Sequence, residues 1–447
     1  MKLSAKFPTH LIVAASGWLG RGTEAVVQLV SITLLLSYLG IENFAIFALL
    51  ISLTVWFNLL DLGIGPSIQN FLSEAQASQE PPEEVLDQVK IIILFLAAIF
   101  LILLLLVHQP LQAILLRGLV SPGHKAPPFL LGLVGCFFIM TALASVSYRV
   151  LYAKHQGYLA QFYQAGARLV SLIGIFILVA TYSGTNKLIL SLLIWVVPPF
   201  LLASLAMGQL LSALGTRVVK VNWTSLKTIA KRSLKFGAFT AISTATIHVD
   251  YLIMSQTLGA KEITQYNILS KLFNFLLVLY WAMLMAIWPE LTERFAKGEW
   301  ASAKRLIKIY QGLGGLVIGA GTVGILITLP SLLAWFLPQH NLQIPIHSVL
   351  LFGAFCLLRG WCDTYATALM SLNHFRAFWI AMPIQTILSC LGQYFLSQLW
   401  GINGILLGLI ISFALTATWV LPLEFQVISR SNIQIRTIFP TKEGRTI

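Results

Sequence analysis

Apolar runs of about 20 residues, separated by short polar stretches, recur along the whole chain. Each is long enough to cross a hydrocarbon core of about 30 Å as a helix. Their positions predict twelve spans: 12–36, 44–65, 90–107, 129–150, 165–182 and 188–210 in the first half, then 236–257, 266–288, 310–337, 347–370, 377–398 and 402–424. The longest polar stretch, about 211–235, is too short to bury a core, so no soluble domain is expected. The first apolar run exceeds a signal-peptide h-region and no small-residue cleavage site follows it, so no cleavable leader is expected.

The pattern also repeats. Ser37-Tyr38-Leu39-Gly40, followed by an apolar run to Pro66, matches Gln256-Thr257-Leu258-Gly259, followed by a similar run to Pro289. The glycines are 219 positions apart and the prolines 223. The ends of spans four and ten match at an offset of 218, Val150-Leu151-Tyr152-Ala153-Lys154-His155 against Ala368-Leu369-Met370-Ser371-Leu372-Asn373. Six spans per half is an even number, so both copies insert in the same sense. That predicts two six-helix bundles, 1–215 and 236–447, related by a pseudo-two-fold axis along the membrane normal around a central cleft. Between them, 216–235 sets Trp223, Leu226, Ile229 and Leu234 among Lys227, Lys231, Arg232 and Lys235. This reads as a basic amphipathic linker lying along the membrane interface, or as a solvated basic tether.

Composition agrees: 57% of 447 residues are hydrophobic and 10% charged, with a mean hydropathy of +0.84, against about 25% charge in ordinary soluble domains. The fold class is therefore an all-α polytopic membrane protein. With the N-terminus placed in the cytoplasm, the segments on that side hold twenty-two Lys and Arg, Arg149 and Arg168 among them, and the opposite loops hold four. By the positive-inside rule both termini are expected inside, and the net charge of +13 needs no nucleic-acid partner. The four cysteines all lie in apolar spans with no Cys-x-x-Cys pair, so neither a disulfide framework nor a metal site is expected. No phosphate-binding glycine loop and no nucleophile–base arrangement occurs, which argues against an enzyme. The glycines of span nine, Gly312, Gly314, Gly315, Gly319, Gly321 and Gly324, read as close helix packing.

The segments Ser233-Leu234-Lys235-Phe236-Gly237, Asp250-Tyr251-Leu252-Ile253-Met254, Leu258-Gly259-Ala260 and Tyr266 to Leu272 resemble the seventh-to-eighth span signature of bacterial polysaccharide transporters. Leu59-Leu60-Asp61-Leu62-Gly63-Ile64-Gly65 resembles the end of their second span. The chain is thus similar to the Wzx-type O-antigen and exopolysaccharide flippases of the multidrug/oligosaccharidyl-lipid/polysaccharide (MOP) exporter superfamily. The resemblance implies a MATE-like architecture, alternating access, and a bacterial inner-membrane location. It also implies an undecaprenyl-pyrophosphate-linked oligosaccharide as cargo, membrane lipids around the protein, and polysaccharide polymerase or chain-length proteins as partners. No cofactor is implied; the energy would come from a proton or sodium gradient, or from consumption of the cargo outside.

Ionisable groups inside the bilayer cost at least about 2.5–3.5 kcal/mol on insertion scales, so they mark candidate sites. Arg21 lies roughly 13 Å deep in span one at 1.5 Å per residue. Glu24, three positions on, shares its helix face; the two can pair with each other or line a cavity. In span seven His248 and Asp250 point about 200° apart, so at most one faces a cleft; the buried carboxylate is the better carrier of a coupling proton or cation. Arg359 and Asp363 in span ten are spaced for an intrahelical ion pair; facing a cleft, Arg359 would suit pyrophosphate. Lys271 is a further substrate-binding candidate, or snorkels outward. Asp61, with Gly63, Gly65 and Pro66, either opens a helix at a cavity mouth or simply ends it. Two other functions fit less well: a cation-coupled multidrug or metabolite exporter of the same fold, and a membrane glycosyltransferase or polymerase.

Overall fold

The computed structural model describes residues 9–78, 83–117, 127–154, 156–214, 222–336, 343–372 and 374–430. Every regular element among them is a helix. In chain order these are α1 (Thr9–Ser52), α2 (Thr54–Phe57), a 3-10 turn (Asn58–Asp61), α3 (Ile64–Ser78), α4 (Glu83–Leu115), α5 (Leu130–Ala144), α6 (Val146–Ala153), α7 (Gly157–Thr181) and α8 (Lys187–Leu214). They continue with α9 (Trp223–His248), α10 (Asp250–Thr257), α11 (Ala260–Ala296), α12 (Trp300–Phe336), α13 (Ile346–Ser371), α14 (Arg376–Trp400), α15 (Ile402–Leu415) and α16 (Ala417–Arg430). Among the described residues nine helices are long and apolar enough to cross a membrane, so the chain is a multi-pass membrane protein. The other expected spans are also helical. Spans one and two are the two limbs of α1 and its continuation, bent at Gly40 (φ 76°, ψ 170°), a conformation open to glycine. Spans seven and eleven are α9–α10 and α14, which are less apolar.

The repeat read from the sequence has counterparts in the backbone. Where Leu39-Gly40 bends α1, Leu258 is extended (φ −124°, ψ 159°) and separates α10 from α11. At the second matched pair of segments, Gln156 N–H donates to Leu151 C=O at 2.8 Å and His374 N–H donates to Leu369 C=O at 3.0 Å, positions 218 apart in both donor and acceptor. The prolines diverge: the chain breaks just before Pro66, whereas α11 runs unbroken through 289.

The chain divides into two compact units, Met1–Thr264 and Gln265–Ile447. In the first, Ile64 and Ile68 of α3, Leu96 and Leu104 of α4, Ile139 and Leu143 of α5, and Ile229 of α9 form one buried apolar cluster. The described part of the expected linker is the opening of α9. Asn222 caps it by accepting from Thr224 N–H (3.1 Å) and Ser225 N–H (3.3 Å). Arg232 lies over the ring of Phe71, 4.5 Å from its centroid. Trp223 and Leu234 stay exposed beside Lys227 and Lys231, while Ile229 turns into the buried cluster.

In the second unit α11 packs on α12 and α13, with Phe273 stacked on Phe352 at 4.9 Å. The glycines of α12 are only partly a packing seam. Gly314 and Gly321 sit against Tyr280 and Leu276, but Gly312, Gly315, Gly319 and Gly324 have nothing within 4 Å of a built Cβ. The closest helix approach is between α14 and α15, where a methyl on Gly392 would stand 3.2 Å from Gly408 Cα.

Candidate functional site

A polar cavity of about 620 Å³ lies inside the first unit. That is within the range of ligand pockets, roughly 300–1,000 Å³. Its walls come from α1, the 3-10 turn, α3, α6 and α7, with Thr141 of α5, Pro199 of α8 and Thr240 of α9 completing it. Among the described residues four charged groups line it: Glu24, Asp61, Arg149 and Arg168. Between them stand Asn58, Gln69, Tyr148, Tyr152, Gln161 and Gln164, neutral groups that can donate and accept.

The first charge pair joins α1 to α7: Arg168 Nε is 3.8 Å from Glu24 Oε1. The guanidinium also lies over the ring of Trp195 on α8, 5.1 Å from its centroid, a contact worth about 0.5–2 kcal/mol. Glu24 thus has a cationic partner on another helix, one that helical spacing does not reveal. Arg21 lies on α1, but its side chain falls outside the described residues.

The other two charged groups, Asp61 and Arg149, stand beside a break in the chain. Leu62 (φ 49°) is the one non-glycine residue with positive φ among the described residues, and Gly63 follows with φ 77°. Asp61 holds this bend, its Oδ1 accepting from Gly63 N–H at 2.8 Å and its Oδ2 from Gly65 N–H at 3.3 Å. A methyl on Gly65 would stand 3.0 Å from Asp61 Oδ2 and 3.1 Å from Arg149 Cγ, so the absence of a side chain at Gly65 makes room for both. A side chain at Gly63 would collide with the backbone of Ser233 and Gly237 on α9, and one at Gly237 would stand 2.8 Å from Leu62 C=O. Bend and helix therefore fit only as glycine against glycine. Helix breaks at membrane depth are tolerated where they line a cavity, and this one does.

On the amide side of the cavity, Gln161 donates to the hydroxyl of Tyr152. Gly20 makes room for it, because a methyl there would stand 2.8 Å from Gln161 Oε1. Tyr148 stacks on Tyr163 at 6.3 Å, and Tyr163 in turn donates to Gln209 Oε1 at 2.8 Å.

Of the residues singled out in the sequence, Glu24 and Asp61 line this cavity; Asp250 and His248 belong to the same unit but are not among its lining residues. A break at Val249 separates those two. His248 ends α9 exposed, with its carbonyl accepting from Trp56 Nε1 at 3.3 Å, and Asp250 opens α10 buried, its Oδ1 accepting from Tyr251 N–H at 2.8 Å. Arg359 and Asp363 lie in the second unit and form the expected intrahelical pair, Nε to Oδ2 at 3.6 Å. Trp281 joins them, donating from Nε1 to Asp363 Oδ2 at 2.6 Å while its ring lies 4.8 Å from the Arg359 guanidinium carbon. Arg359 is 7% exposed. Lys271 is half-buried on α11.

Two cavity arginines were missed. Arg149 and Arg168 stood in the tally of cytoplasmic positive charge, yet both fall inside expected spans, 129–150 and 165–182. That position was the available signal. Trp195 and Trp281 each lie against one arginine, Arg168 and Arg359 respectively.

No protein-family model matches the chain. A Salmonella typhimurium strain LT2 protein named as an O-antigen transporter is 33% identical over 427 residues, covering 94% of this chain and 97% of the relative. A Yersinia pseudotuberculosis protein named as an O-antigen export protein is 29% identical over 426 residues, covering 94% and 97%. Among solved structures, an inward-facing multidrug-resistance MATE transporter of the MOP superfamily matches with a TM-score of 0.73 at 13% identity, covering 92% of this chain and 96% of its own. The lipid II flippase MurJ, inward closed, matches at 0.67 and 12% identity, covering 96% and 91%. At these identities the structural likeness establishes the fold, a MATE-like helical bundle.

Proposed function

This chain belongs to the O-antigen transporter family of the MOP superfamily, and from that premise we propose that it is a flippase for a lipid-linked oligosaccharide. The cargo is a glycan on undecaprenyl pyrophosphate, moved from the cytoplasmic to the periplasmic leaflet of a bacterial inner membrane, with both termini cytoplasmic. One observation carries the reading: an apolar bundle encloses a cavity of about 620 Å³ lined by paired charges, phenols and amides. A hydroxyl-rich head group needs such a lining, because each buried hydroxyl left without a partner costs roughly 1–3 kcal/mol.

The division of labour follows from the chemistry. Tyr148, Tyr152, Gln161 and Gln164 exchange hydrogen bonds with sugar hydroxyls. Arg168 and Arg149 meet the diphosphate or an acidic sugar, Arg168 exchanging the carboxylate of Glu24 for the incoming anion. Alternating access then requires the cavity to open in turn to each side, and the bend at Leu62-Gly63 against Gly237 is a place where backbone geometry can change. Asp250, buried at the α9–α10 break, is the group best placed to exchange a coupling proton or sodium ion. No covalent bond is made or broken in this scheme, so the protein acts as a transporter and not as an enzyme.

Deletion in the native host tests the function. Lipid-linked oligosaccharide should accumulate on the cytoplasmic leaflet and surface polysaccharide should disappear. Unchanged surface polysaccharide would refute the reading.

A further inference from the structure

On the premise that the cargo is lipid-linked, we propose that an apolar groove along α1 and α7 holds its polyisoprenoid chain while the polar head occupies the neighbouring cavity. The groove measures about 460 Å³ and is lined by Leu19, Gly22, Val26 and Val27 of α1 with Leu169 and Leu172 of α7, and Thr23 is its one polar side chain. Leu19, Val26 and Leu169 are exposed on this flank. Among the described residues no charged side chain lines it, so its described wall suits a hydrocarbon chain better than a phosphate or a sugar.

What distinguishes this groove from ordinary lipid-facing surface is that the two helices lining it also line the cavity. The same two helices wall both spaces: Gly20 and Glu24 of α1, with Ala165 and Arg168 of α7, face the cavity, and their sequence neighbours Leu19, Thr23 and Leu169 face the groove. The Glu24–Arg168 pair therefore stands on the line between the polar and the apolar space. An amphiphile whose charged linkage joins a glycan to a hydrocarbon chain spans that line with each part in matching surroundings. The two glycines of this stretch differ accordingly. Gly20 is filled on its cavity side by Gln161, whereas nothing lies within 4 Å of a Cβ built on Gly22, which leaves groove space that the fold itself does not use.

The test uses the full chain in vesicles with two cargoes: a long-chain lipid-linked oligosaccharide bearing a diazirine on its isoprenoid, and a short-chain analogue with the same head. Gly22→Phe fills the groove from an open position. It should slow transport of the long-chain cargo roughly tenfold or more, while the short-chain analogue binds as it does to wild type. Irradiation should label the peptides carrying Leu19–Val27 and Leu169–Leu172. If wild type moves the long-chain cargo, but Gly22→Phe moves it equally fast or the label falls elsewhere, the groove assignment is wrong and the flippase reading stands. Equal labelling by a diazirine phospholipid, undiminished by cargo, would likewise overturn it. If wild type moves no lipid-linked oligosaccharide, both readings fall.

Discussion

Glu24 of α1 and Arg168 of α7 face each other with carboxylate and guanidinium 3.8 Å apart, and the indole of Trp195 supports the arginine from α8. Three helices thus converge on one charge pair at the wall of a polar cavity. The pair is pre-formed, so an anionic cargo that takes the arginine must displace the glutamate.

Arg168→Ala removes the cation and leaves both Glu24 and Trp195 without it. Transport of lipid-linked oligosaccharide should fall at least about tenfold, corresponding to about 1.4 kcal/mol. Arg168→Lys should recover only part of this, because an ammonium lacks the planar fork that matches phosphate oxygens. Glu24→Gln should cost less than either, since it removes only the competitor. Initial rates in reconstituted vesicles give all three values.

Glycine at 63 and 237 is a steric requirement. Gly63→Ala meets both a positive φ, costing about 1–2 kcal/mol, and the backbone of α9. Gly237→Ala meets Leu62 C=O. Overpacking adds about 1–3 kcal/mol, so each variant should melt several degrees below wild type in detergent. Gly22→Ala, with nothing within 4 Å, should melt with wild type.

The Arg359–Asp363–Trp281 cluster is predicted to act first on stability. Asp363→Ala leaves a buried guanidinium without its carboxylate, a change that costs about 3–5 kcal/mol in buried pairs. Thermal unfolding and expression yield should both drop. Replacing Arg359 with Met alongside Asp363→Ala should restore much of the loss; if transport stays absent in that restored double variant, Arg359 also serves the cargo.

Asp250→Asn keeps an acceptor for Tyr251 N–H and so leaves the α9–α10 break intact. Transport should nevertheless be abolished with membrane insertion unchanged. Wild-type flux would retire Asp250 as the coupling group.

Local features were legible in the sequence and long-range ones were not. Arg359 and Asp363 pair as their i,i+4 spacing indicates, because one helix brings them together. The Leu-Gly repeats mark interruptions of the helix in both places, at Gly40 through a positive φ open to glycine and at Leu258 through an extended residue. Glu24 was matched to Arg21 by the same local logic, whereas the partner described for it, Arg168, is 144 positions away on α7. Charge counting also hid Arg149 and Arg168, since a loop charge and a cavity charge near the end of a span look alike until the helices pack. Hydropathy pointed to twelve spans; among the described residues nine helices are long and apolar enough to cross a membrane, while α9–α10 and α14 are helical but carry more polar residues.

The most direct measurement of the central claim is leaflet translocation by the purified chain. Vesicles are loaded with an undecaprenyl-pyrophosphate-linked oligosaccharide on one leaflet, and its appearance on the other is followed with a membrane-impermeant glycan-modifying enzyme. Wild-type protein should expose the glycan far faster than protein-free vesicles, and Arg168→Ala should approach the protein-free rate. Wild-type vesicles no faster than protein-free ones, or an Arg168→Ala variant as fast as wild type, would contradict the assignment of this cavity to the flipping of a lipid-linked glycan.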